Sequence, residues 1–431
     1  MRLPGRIAAA IEVLADMEAR KRPASEALKG WALDHRFAGA GDRAAIGNIV
    51  YDALRKRASH AWRMGEDTPR ALVLSVMVTE WNQDIKSINQ DFSTDRFAPE
   101  SITEAEALRL SSDSVFSDAP DWVKADVPEW LAPALEENFG SRWIEEGQGM
   151  TTRPPLGMRV NRLKSDRARV KKSLARFSPQ ETAIAPDGLR VVSGPTDART
   201  ANVTADEGYQ KGWFEVQDEG SQIVSLLTGA RPGEQVLDLC AGAGGKTLAM
   251  AAGMANTGQI FAYDSERTRL APIHERLKRN GVRNVQVRNP DPNALSDLEG
   301  RLDRVVVDAP CTGTGTWRRR PDTKWKLTPA QLETRMAEQA AVLDTASRLL
   351  KPGGELVYIT CSILPQENDH QVSAFLERHP DFGLTFLEER WTALFPSIPA
   401  PLNRNGKTVT LTPASTDTDG FFCATLTKKG A

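Results

Sequence analysis

Apolar residues near the N-terminus recur at the spacing that is typical of amphipathic helices, beginning with Ile7 and Ile11. This pattern predicts helices over residues 5–64, with a turn at residues 37–46 (FAGAGDRAAI) before the last of them. Residues 1–64 hold twelve Lys or Arg against seven Asp or Glu, so this helical part is mildly basic.

Residues 80–118 have a different character. They hold nine Asp or Glu against three Lys or Arg, are rich in Ser and Asn, and show little periodicity. We predict that this segment is an acidic insertion or a mobile connection.

The most charge-biased segment is residues 153–176, with nine Lys or Arg and a single acid. Within it, MRVN predicts a short strand and SDRARVKKSLARF a helix capped by Ser165. The excess of positive charge favours a surface that binds a polyanion, although a solvated helix face stays open as the alternative. The candidate contacts are Arg159, Arg162 and Lys164.

From about residue 215, short apolar runs alternate with helical segments. The runs are QVLDL, QIFAY, NVQVR, DRVVVD and ELVYIT, and a long helix is predicted from Pro329 to Leu350. This alternation is typical of a doubly wound α/β fold with a parallel sheet, in which ligands bind beyond the carboxyl ends of the strands.

Composition and charge exclude several classes of protein. The chain has 431 residues, of which 40% are hydrophobic and 26% charged, and a formal net charge of -2. These values are ordinary for a soluble protein of two or three domains, and any polyanion must be held by local patches. The longest apolar stretch, residues 71–78, is far below the roughly 20 residues of a membrane-spanning helix. We therefore expect a cytoplasmic monomer that does not enter a membrane.

The four cysteines lie 71, 50 and 62 residues apart and form no C-x-x-C pair. Neither a disulfide framework nor a metal site is expected.

The first predicted strand leads into LDLCAGAGGKT, residues 237–247. A Walker A loop would need Gly at Cys240, and a dinucleotide fingerprint would need Gly at Thr247. Neither pattern fits, which leaves a nucleoside cofactor without a pyrophosphate, and S-adenosylmethionine is the candidate. Lys246 would lie near its carboxylate.

Two acidic residues follow the next predicted strands. Asp264 could accept hydrogen bonds from both ribose hydroxyls, and Asp291 could meet the adenine amino group. An Asp at a strand end is often a helix cap instead. However, the Gly-rich loop, Asp264 and Asp291 occur in the order that an adenosyl site needs.

The fourth and fifth predicted strands end in VVVDAPCTGTG and VYITCSILPQEN, which place Cys311 and Cys361 at neighbouring strand ends. Carbon 5 of a pyrimidine is too weak a nucleophile to take a methyl group directly. A thiolate that adds to carbon 6 turns the ring into an enamine, and carbon 5 can then attack. We expect Cys311 and Cys361 to do chemistry and Cys240 and Cys423 to pack, but the pattern does not choose between the first two.

Residues 316–327 (TWRRRPDTKWKL) interleave five cations with two tryptophans, which suits phosphate contact and base stacking. A surface loop with two packed tryptophans is the alternative. The candidate RNA contacts are Arg318, Arg319, Arg320 and Lys324, and the RNA would be single-stranded or a loop, because the base must leave its stack.

These motifs, together with EVQDEGSQ and the closing DGFFCATLTKK, resemble those of the Sun/Nop family of RNA cytosine-5 methyltransferases. The resemblance implies that Cys361 attacks carbon 6, that Cys311 assists product release, and that Asp308 contacts the cytosine or the cofactor. It also implies cofactor binding by Asp264, Asp291 and Asp308 and by the loop residues Cys240, Ala241, Gly242, Ala243, Gly244, Gly245 and Lys246. One departure is CAGAGGKT, in which Gly242 and Ala243 stand where many members have Ala-Pro before the Gly-Gly.

GDRAAIGNIVYDALRKR and the helix before it resemble a NusB-type RNA-binding domain, as found in the bacterial small-subunit ribosomal RNA branch of that family. The middle segment, PEWLAPALEENFG followed by PPLGMRVNRLK, is similar to a small α/β RNA-recognition-like domain. The expected domains are residues 1–120 (helical, NusB-like, with the acidic insertion), 121–212 (small α/β) and 213–431 (Rossmann-like methyltransferase). Three functions stay open at this point: cytosine-5 methylation of 16S ribosomal RNA, the same chemistry on transfer RNA, and a non-catalytic RNA-binding assembly factor.

Overall fold

The computed structural model describes residues 1–112, 116–291 and 293–430. Its α-helices, in chain order, are α1 (Leu3–Ala19), α2 (Ala24–Asp34), α3 (Ala40–Arg55), α4 (Arg57–Met64), α5 (Pro69–Thr79), α6 (Ile85–Thr94), α7 (Glu104–Leu110), α8 (Asp121–Lys124), α9 (Ala132–Phe139), α10 (Trp143–Gly149), α11 (Arg167–Ser173), α12 (Glu207–Gln210), α13 (Glu219–Leu227), α14 (Gly245–Gly253), α15 (Arg267–Leu270), α16 (Ile273–Asn280), α17 (Pro321–Lys326), α18 (Pro329–Leu349), α19 (Asp369–Arg378), α20 (Leu387–Leu394) and α21 (Pro413–Thr416). The strands are β1 (Leu156–Val160), β2 (Gln180–Glu181), β3 (Gly188–Val191), β4 (Phe214–Val216), β5 (Gln235–Asp238), β6 (Gln259–Ala262), β7 (Val285–Val287), β8 (Leu302–Asp308), β9 (Leu350–Thr360), β10 (Phe382–Thr385), β11 (Val409–Leu411) and β12 (Phe421–Lys428).

The chain divides into two compact units. Unit 1 comprises Met1–Arg153, Ser193–Thr200 and Trp317–Lys326. Unit 2 comprises the remaining segments, Pro154–Val192, Ala201–Thr316 and Leu327–Ala431. Unit 2 thus holds both the small sheet and the large sheet, which the sequence assigns to two domains, and the three-domain boundaries stay a prediction.

Unit 1 is helical, as predicted for residues 5–64. Its core lies between α1, α3 and α5, where Ile7, Leu14, Ile49 and Leu72 are fully buried. The predicted turn at residues 37–46 is too long, because α3 already begins at Ala40.

The prediction of a mobile connection over residues 80–118 is wrong for the described part of that segment, since α6 and α7 lie within it. Asp84 caps α6 by accepting the amide of Ser87 at 2.8 Å. Ile88 and Phe92 of α6 are buried in the core of unit 1. Short capped helices with few apolar positions leave little periodicity in a sequence, which is why the pattern missed them. Residues 113–115 lie outside the described residues.

The segment Trp317–Lys326 packs into unit 1 through a buried ammonium group. Nζ of Lys324 donates to the carbonyl oxygens of Arg55 at 2.8 Å and Asp126 at 2.6 Å. The same Nζ lies 5.8 Å from the ring centroid of Trp317 and 4.8 Å from that of Trp325. The side chain is fully buried, so this lysine is a structural element of the helical unit.

Unit 2 contains two sheets. The small sheet has the strand order β2-β3-β1-β4 with antiparallel pairs. The large sheet has the order β10-β12-β9-β8-β5-β6-β7, and β9 to β7 run parallel while β12 and β10 are antiparallel. The predicted Rossmann-like fold class is confirmed. The helix α11, which follows β1, is capped by Asp166 and not by the predicted Ser165, because the side chain of Asp166 accepts the amide of Arg169 at 2.8 Å.

The order of the parallel strands fixes where a ligand can bind. The first strand, β5, has β6 on one side and β8 on the other, so the strand order reverses between β5 and β8. Loops that leave the carboxyl ends on the two sides of such a point diverge and open a crevice. The loops after β5, β6, β8 and β9 all emerge at this edge. Among the described residues, no helix has the length and hydropathy needed to cross a membrane.

Replacing Lys324 by Met should lower the free energy of unfolding by about 2 kcal/mol or more, because two buried carbonyl groups lose their donor. Urea unfolding followed by tryptophan fluorescence measures this loss. Lys29→Met on the exposed face of α2 is the matched control and should stay within about 0.5 kcal/mol of the wild type. Equal stability of the two variants would contradict the structural role.

The same lysine predicts a pH dependence. Burial, opposed by Asp126, lowers the pKa of Lys324 to about 8 from its usual 10.5. Between these two values the unfolded chain binds more protons than the folded chain, so stability should rise with pH. The stability of the wild type relative to Lys324→Met should therefore increase between pH 7.5 and pH 9.5, as measured by urea unfolding at both values. A difference that does not change with pH would contradict this assignment.

Candidate active site

The loop after β5 needs glycine at two positions. Gly242 and Gly244 have positive φ values of 49° and 83°. A Cβ on Gly244 would lie 2.6 Å from Cγ1 of Ile273, so any other residue would push α16 away. The loop runs directly into α14, which begins at Gly245. It therefore brings the N-terminus of α14 to the carboxyl edge of the sheet.

Asp264 holds this loop from the end of the neighbouring strand. Its side chain is 2% exposed, Oδ2 accepts the amide of Gly242 at 2.9 Å, and Oδ1 accepts the amide of Glu266 at 2.9 Å. Each carboxylate oxygen retains a further lone pair for a ligand. The tertiary structure thus gives Asp264 a second role, as an anchor of the loop.

Asp238, the last residue of β5, is a site residue that the sequence did not single out. It is fully buried, and its Oδ2 accepts the hydroxyl of Thr247 at 2.6 Å, which ties the strand to α14. Burial, opposed in part by that hydrogen bond, raises the pKa of Asp238 to about 7. The sequence signal that could have identified Asp238 was its position near the end of the predicted strand QVLDL, just before the loop that leads to the Gly-Lys-Thr.

Lys246 and Asp308 form an ion pair at the centre of the site. The Nζ–Oδ2 distance is 2.6 Å, and the ammonium also lies 5.4 Å from the ring centroid of Phe421. Burial would lower the pKa of Lys246, but the Asp308 carboxylate raises it above its usual value. Lys246 therefore stays charged. Asp308, the last residue of β8, has a third of its side chain exposed.

The two predicted cysteines lie side by side. Sγ of Cys311 is 3.3 Å from Sγ of Cys361, although the residues are 50 positions apart in the sequence. The hydrogen bond to Cys361, then burial and the charge of Glu367, raise the pKa of Cys311 well above its usual value. Cys240 is half-buried in the loop after β5 and Cys423 is buried in β12, so neither joins the pair.

A buried carboxylate shapes the turn that carries Cys311. Glu367 is fully buried, its Oε1 accepts the amide of Thr312 at 2.8 Å, and the same oxygen accepts Nε2 of Gln339 at 3.0 Å. The hydroxyl of Thr312 donates to Oε2. Gln339 also donates to the carbonyl of Pro310 at 2.9 Å. Glu367 lies in the TCSILPQEN motif, but its role follows only from these contacts.

The closing DGFF motif meets the same region. The amide of Gly420 donates to the carbonyl of Gly315 at 2.7 Å, and the amide of Gly315 donates to the carbonyl of Cys361 at 2.9 Å. A Cβ on Gly315 would lie 2.2 Å from the carbonyl oxygen of Gly420. These contacts fix the backbone beside both thiols.

The structure brings together the predicted residues of the loop after β5, Asp264, Asp308 and both thiols. Asp291 lies in the loop after β7, where its exposed carboxylate accepts the amide of Asn293 at 2.8 Å. Because β7 runs parallel to β6, the loop that carries Asp291 leaves the sheet at the same carboxyl edge. Its adenine contact stays a prediction. No cluster of metal ligands occurs in the described part of the chain.

The predicted RNA contacts of the small sheet are not equally exposed. Arg159 on β1 is 7% exposed, and its Nε donates to Oε1 of Gln217 at 2.6 Å. Burial lowers the pKa of Arg159 to about 10. Arg162 is exposed and pairs with Asp187 at 2.7 Å, and Lys164 is exposed and donates to two backbone carbonyl groups.

The predicted contacts in residues 316–327 also differ from a continuous basic surface. Arg318 is 1% exposed and Lys324 is fully buried in unit 1, so neither presents its charge to solvent. Arg319 is half-buried and Arg320 is exposed. Trp317 is buried, but part of the segment forms α17 and Trp325 is half-buried, so the segment is not a surface loop with two packed tryptophans either. RNA contact by Arg319 and Arg320 stays a prediction.

The chain is similar to known proteins in sequence and in fold. A family model described as 16S rRNA methyltransferase RsmB/F matches residues 225–427, and a model of the RsmF/B-like ferredoxin-like domain matches residues 127–197. The chain belongs to the RsmB/F family of methyltransferases.

Individual relatives agree with this family. A probable ribosomal RNA small subunit methyltransferase B from Synechocystis is 35% identical over 307 residues, which cover 70% of this chain and 66% of the relative. The chain thus spans just under two thirds of the length of that relative. The crystal structure of PH0851 superimposes with a TM-score of 0.73 at 27% identity and covers 99% of both chains. A methyltransferase homolog from Pyrococcus horikoshii has a TM-score of 0.59 at 27% identity and covers 74% of this chain and 99% of its own.

Replacing Glu367 by Gln should destabilise the Cys311 turn. The side-chain NH2 group of the new glutamine would face the donor groups of Thr312 or Gln339, which now bind a carboxylate oxygen. We expect the free energy of unfolding to fall by about 2 kcal/mol. Urea unfolding measures the change, and exposed Glu388→Gln on α20 is the control. A loss no larger than that of the control would contradict the support role of Glu367.

Proposed function

We propose that the chain is an S-adenosylmethionine-dependent methyltransferase that methylates carbon 5 of a cytosine in RNA, and that this RNA is 16S ribosomal RNA. The observation that carries the proposal is the pair of sulfur atoms 3.3 Å apart, next to the Lys246–Asp308 ion pair. The loop after β5 that contains Gly242 and Gly244, called the glycine loop below, leaves the same edge of the sheet. A methyltransferase that acts on an exocyclic amine needs no thiol, whereas attack through carbon 5 needs one.

The residues present fit S-adenosylmethionine. A Cβ on Gly242 would meet nothing closer than 3.8 Å, so the backbone there is open to a ligand. The carboxylate of Asp264 can accept the ribose hydroxyls with its remaining lone pairs, and the N-terminus of α14 can receive the methionine carboxylate. The cofactor, when bound, supplies an electrophilic methyl group.

Cys361 is the proposed nucleophile. Its sulfur bonds to carbon 6 of the cytosine, and the electron pair of the 5,6 double bond makes carbon 5 nucleophilic. One observation supports this choice over Cys311: the Glu367 carboxylate accepts the amide of Thr312, next to Cys311, and its charge disfavours a thiolate on Cys311. Cys311, whose pKa is raised, stays a thiol that can donate its S–H to the Cys361 sulfur.

Cys311 is proposed to act in product release. After carbon 5 carries the methyl group, its proton leaves to a base, the 5,6 double bond forms again, and the bond between carbon 6 and sulfur breaks. The departing Cys361 thiolate gains a negative charge, which the S–H of Cys311 stabilises at 3.3 Å. Asp308 is proposed to contact the cytosine or the cofactor from the end of β8.

RNA as the substrate is supported by the names of the relatives, which are ribosomal RNA small subunit methyltransferases B. The target cytosine must leave its stack to reach thiols at the edge of the sheet, which favours a single-stranded or loop region. The exposed candidates for RNA contact in this chain are Arg162, Lys164 and Arg320.

Replacing Cys361 by Ser should abolish methyl transfer and any covalent adduct with RNA that contains 5-fluorocytosine, because the hydroxyl is a far weaker nucleophile. Replacing Cys311 by Ser should instead leave adduct formation intact and cause the adduct with ordinary RNA to accumulate. Mass spectrometry of the denatured complex measures both outcomes, and Cys423→Ser, at a buried thiol in β12, is the control. An adduct on Cys361→Ser and none on Cys311→Ser would reverse the two roles.

Deletion of the gene should remove one 5-methylcytosine from 16S ribosomal RNA, and bisulfite sequencing of total RNA would report its position. Loss of a signal from transfer RNA alone would overturn the assignment of the substrate.

A further inference from the structure

The EVQDEGSQ segment before the large sheet has no role in the chemistry described above, yet its first residue is a buried charge. Glu215 lies on β4 of the small sheet and is 3% exposed. Its carboxylate binds Arg276 at 2.9 Å, and it also binds Arg279 and the side-chain amide of Asn280. Burial alone would raise the pKa of Glu215, but the neighbouring guanidinium groups hold it below its usual value.

The three partners come from one face of α16. Positions 276, 279 and 280 are separated by three and four residues, so their side chains project to the same side of the helix. A helix that follows β6 is thereby tied to a strand of the small sheet.

Arg276 makes one contact that Arg279 does not. Its Nη1 donates to the carbonyl oxygen of Ala243 at 2.6 Å, while Nη2 and Nε of the same group bind Glu215. Ala243 stands between the two glycines with positive φ, where the backbone is least restrained by its own side chains. The planar guanidinium thus joins the glycine loop to a fixed carboxylate.

We propose that Arg276 is a positioning residue that holds the glycine loop in its ligand-binding shape through the carbonyl of Ala243, with Glu215 as its anchor. This inference rests on the proposed function, in which the loop binds S-adenosylmethionine. A loop that is already ordered loses less conformational entropy on binding, so the contact raises affinity although Arg276 need not touch the ligand. Chemistry at the thiols is left unchanged.

The variants Arg276→Lys and Arg279→Ala separate this role from simple stability. Lysine keeps a charge beside Glu215, but all its donors lie on one nitrogen, and it lacks the planar fork in which Nη1 reaches Ala243 while Nη2 and Nε reach Glu215. Arg279→Ala removes a comparable ion pair to Glu215 and leaves the contact with Ala243 in place.

Calorimetric titration with S-adenosylmethionine alone should show about a tenfold weaker Kd for Arg276→Lys and Arg276→Ala, which is the expected effect of one charge-assisted hydrogen bond. The Kd of Arg279→Ala should stay within about twofold of the wild type. Methyl transfer at saturating S-adenosylmethionine should be unchanged in Arg276→Lys, so the effect falls on KM and not on kcat. Thermal unfolding should show similar losses for Arg276→Ala and Arg279→Ala.

Wild-type affinity in Arg276→Lys, or equal weakening in Arg279→Ala, would overturn the positioning role. A wild-type chain that does not bind S-adenosylmethionine would overturn the proposed function instead, so the two failures are distinguishable. If Arg276→Ala does not fold, the comparison of Arg276→Lys with Arg279→Ala decides the question.

Discussion

The parallel register between β8 and β9 is the constraint on which the rest of the site depends. Asp308 lies opposite Ile359, so the two chains leave the sheet at the same level. Cys311 and Cys361 then meet at 3.3 Å, three and two residues beyond the paired positions. Because parallel strands are joined by long crossovers, residues 50 positions apart are brought together by backbone pairing and not by local structure.

Buried charges refine what the register brings together. Glu367 gathers the turn after β8, and Asp264 fixes the glycine loop, each through backbone amides. Burying either carboxylate without hydrogen-bond donors would cost free energy. The folded chain therefore keeps the donors of each carboxylate in a definite geometry. The ion pair with Asp308 keeps the buried ammonium of Lys246 charged. The loops of the site are therefore held by two buried acids, Glu367 and Asp264, whose oxygens accept backbone amides.

The contribution of the helical unit differs from the expectation based on charge. Charge runs in a sequence show how many cations a segment has, but they do not show which way the side chains point. The side chain of Lys324 points inward because Trp317 and Trp325 lie against its ammonium group and two carbonyl groups accept hydrogen bonds from it. Arg159 is likewise buried against Gln217. Exposed positive charge is consequently sparser than the count of Lys and Arg suggests.

The sequence by itself determined the class of fold, the strand ends and the candidate chemistry, since alternating apolar runs, glycine turns and cysteines after strands are local features that a pattern can register. It also indicated Asp264, which directly follows a predicted strand, whereas Asp308 was indicated by the family resemblance. Only the tertiary structure decided that the two thiols touch, that Glu367 supports one of them, and that Arg276 reaches Ala243. Those contacts join residues 33 to 55 positions apart, and their formation depends on how strands and helices pack, which is a property of the folded chain as a whole.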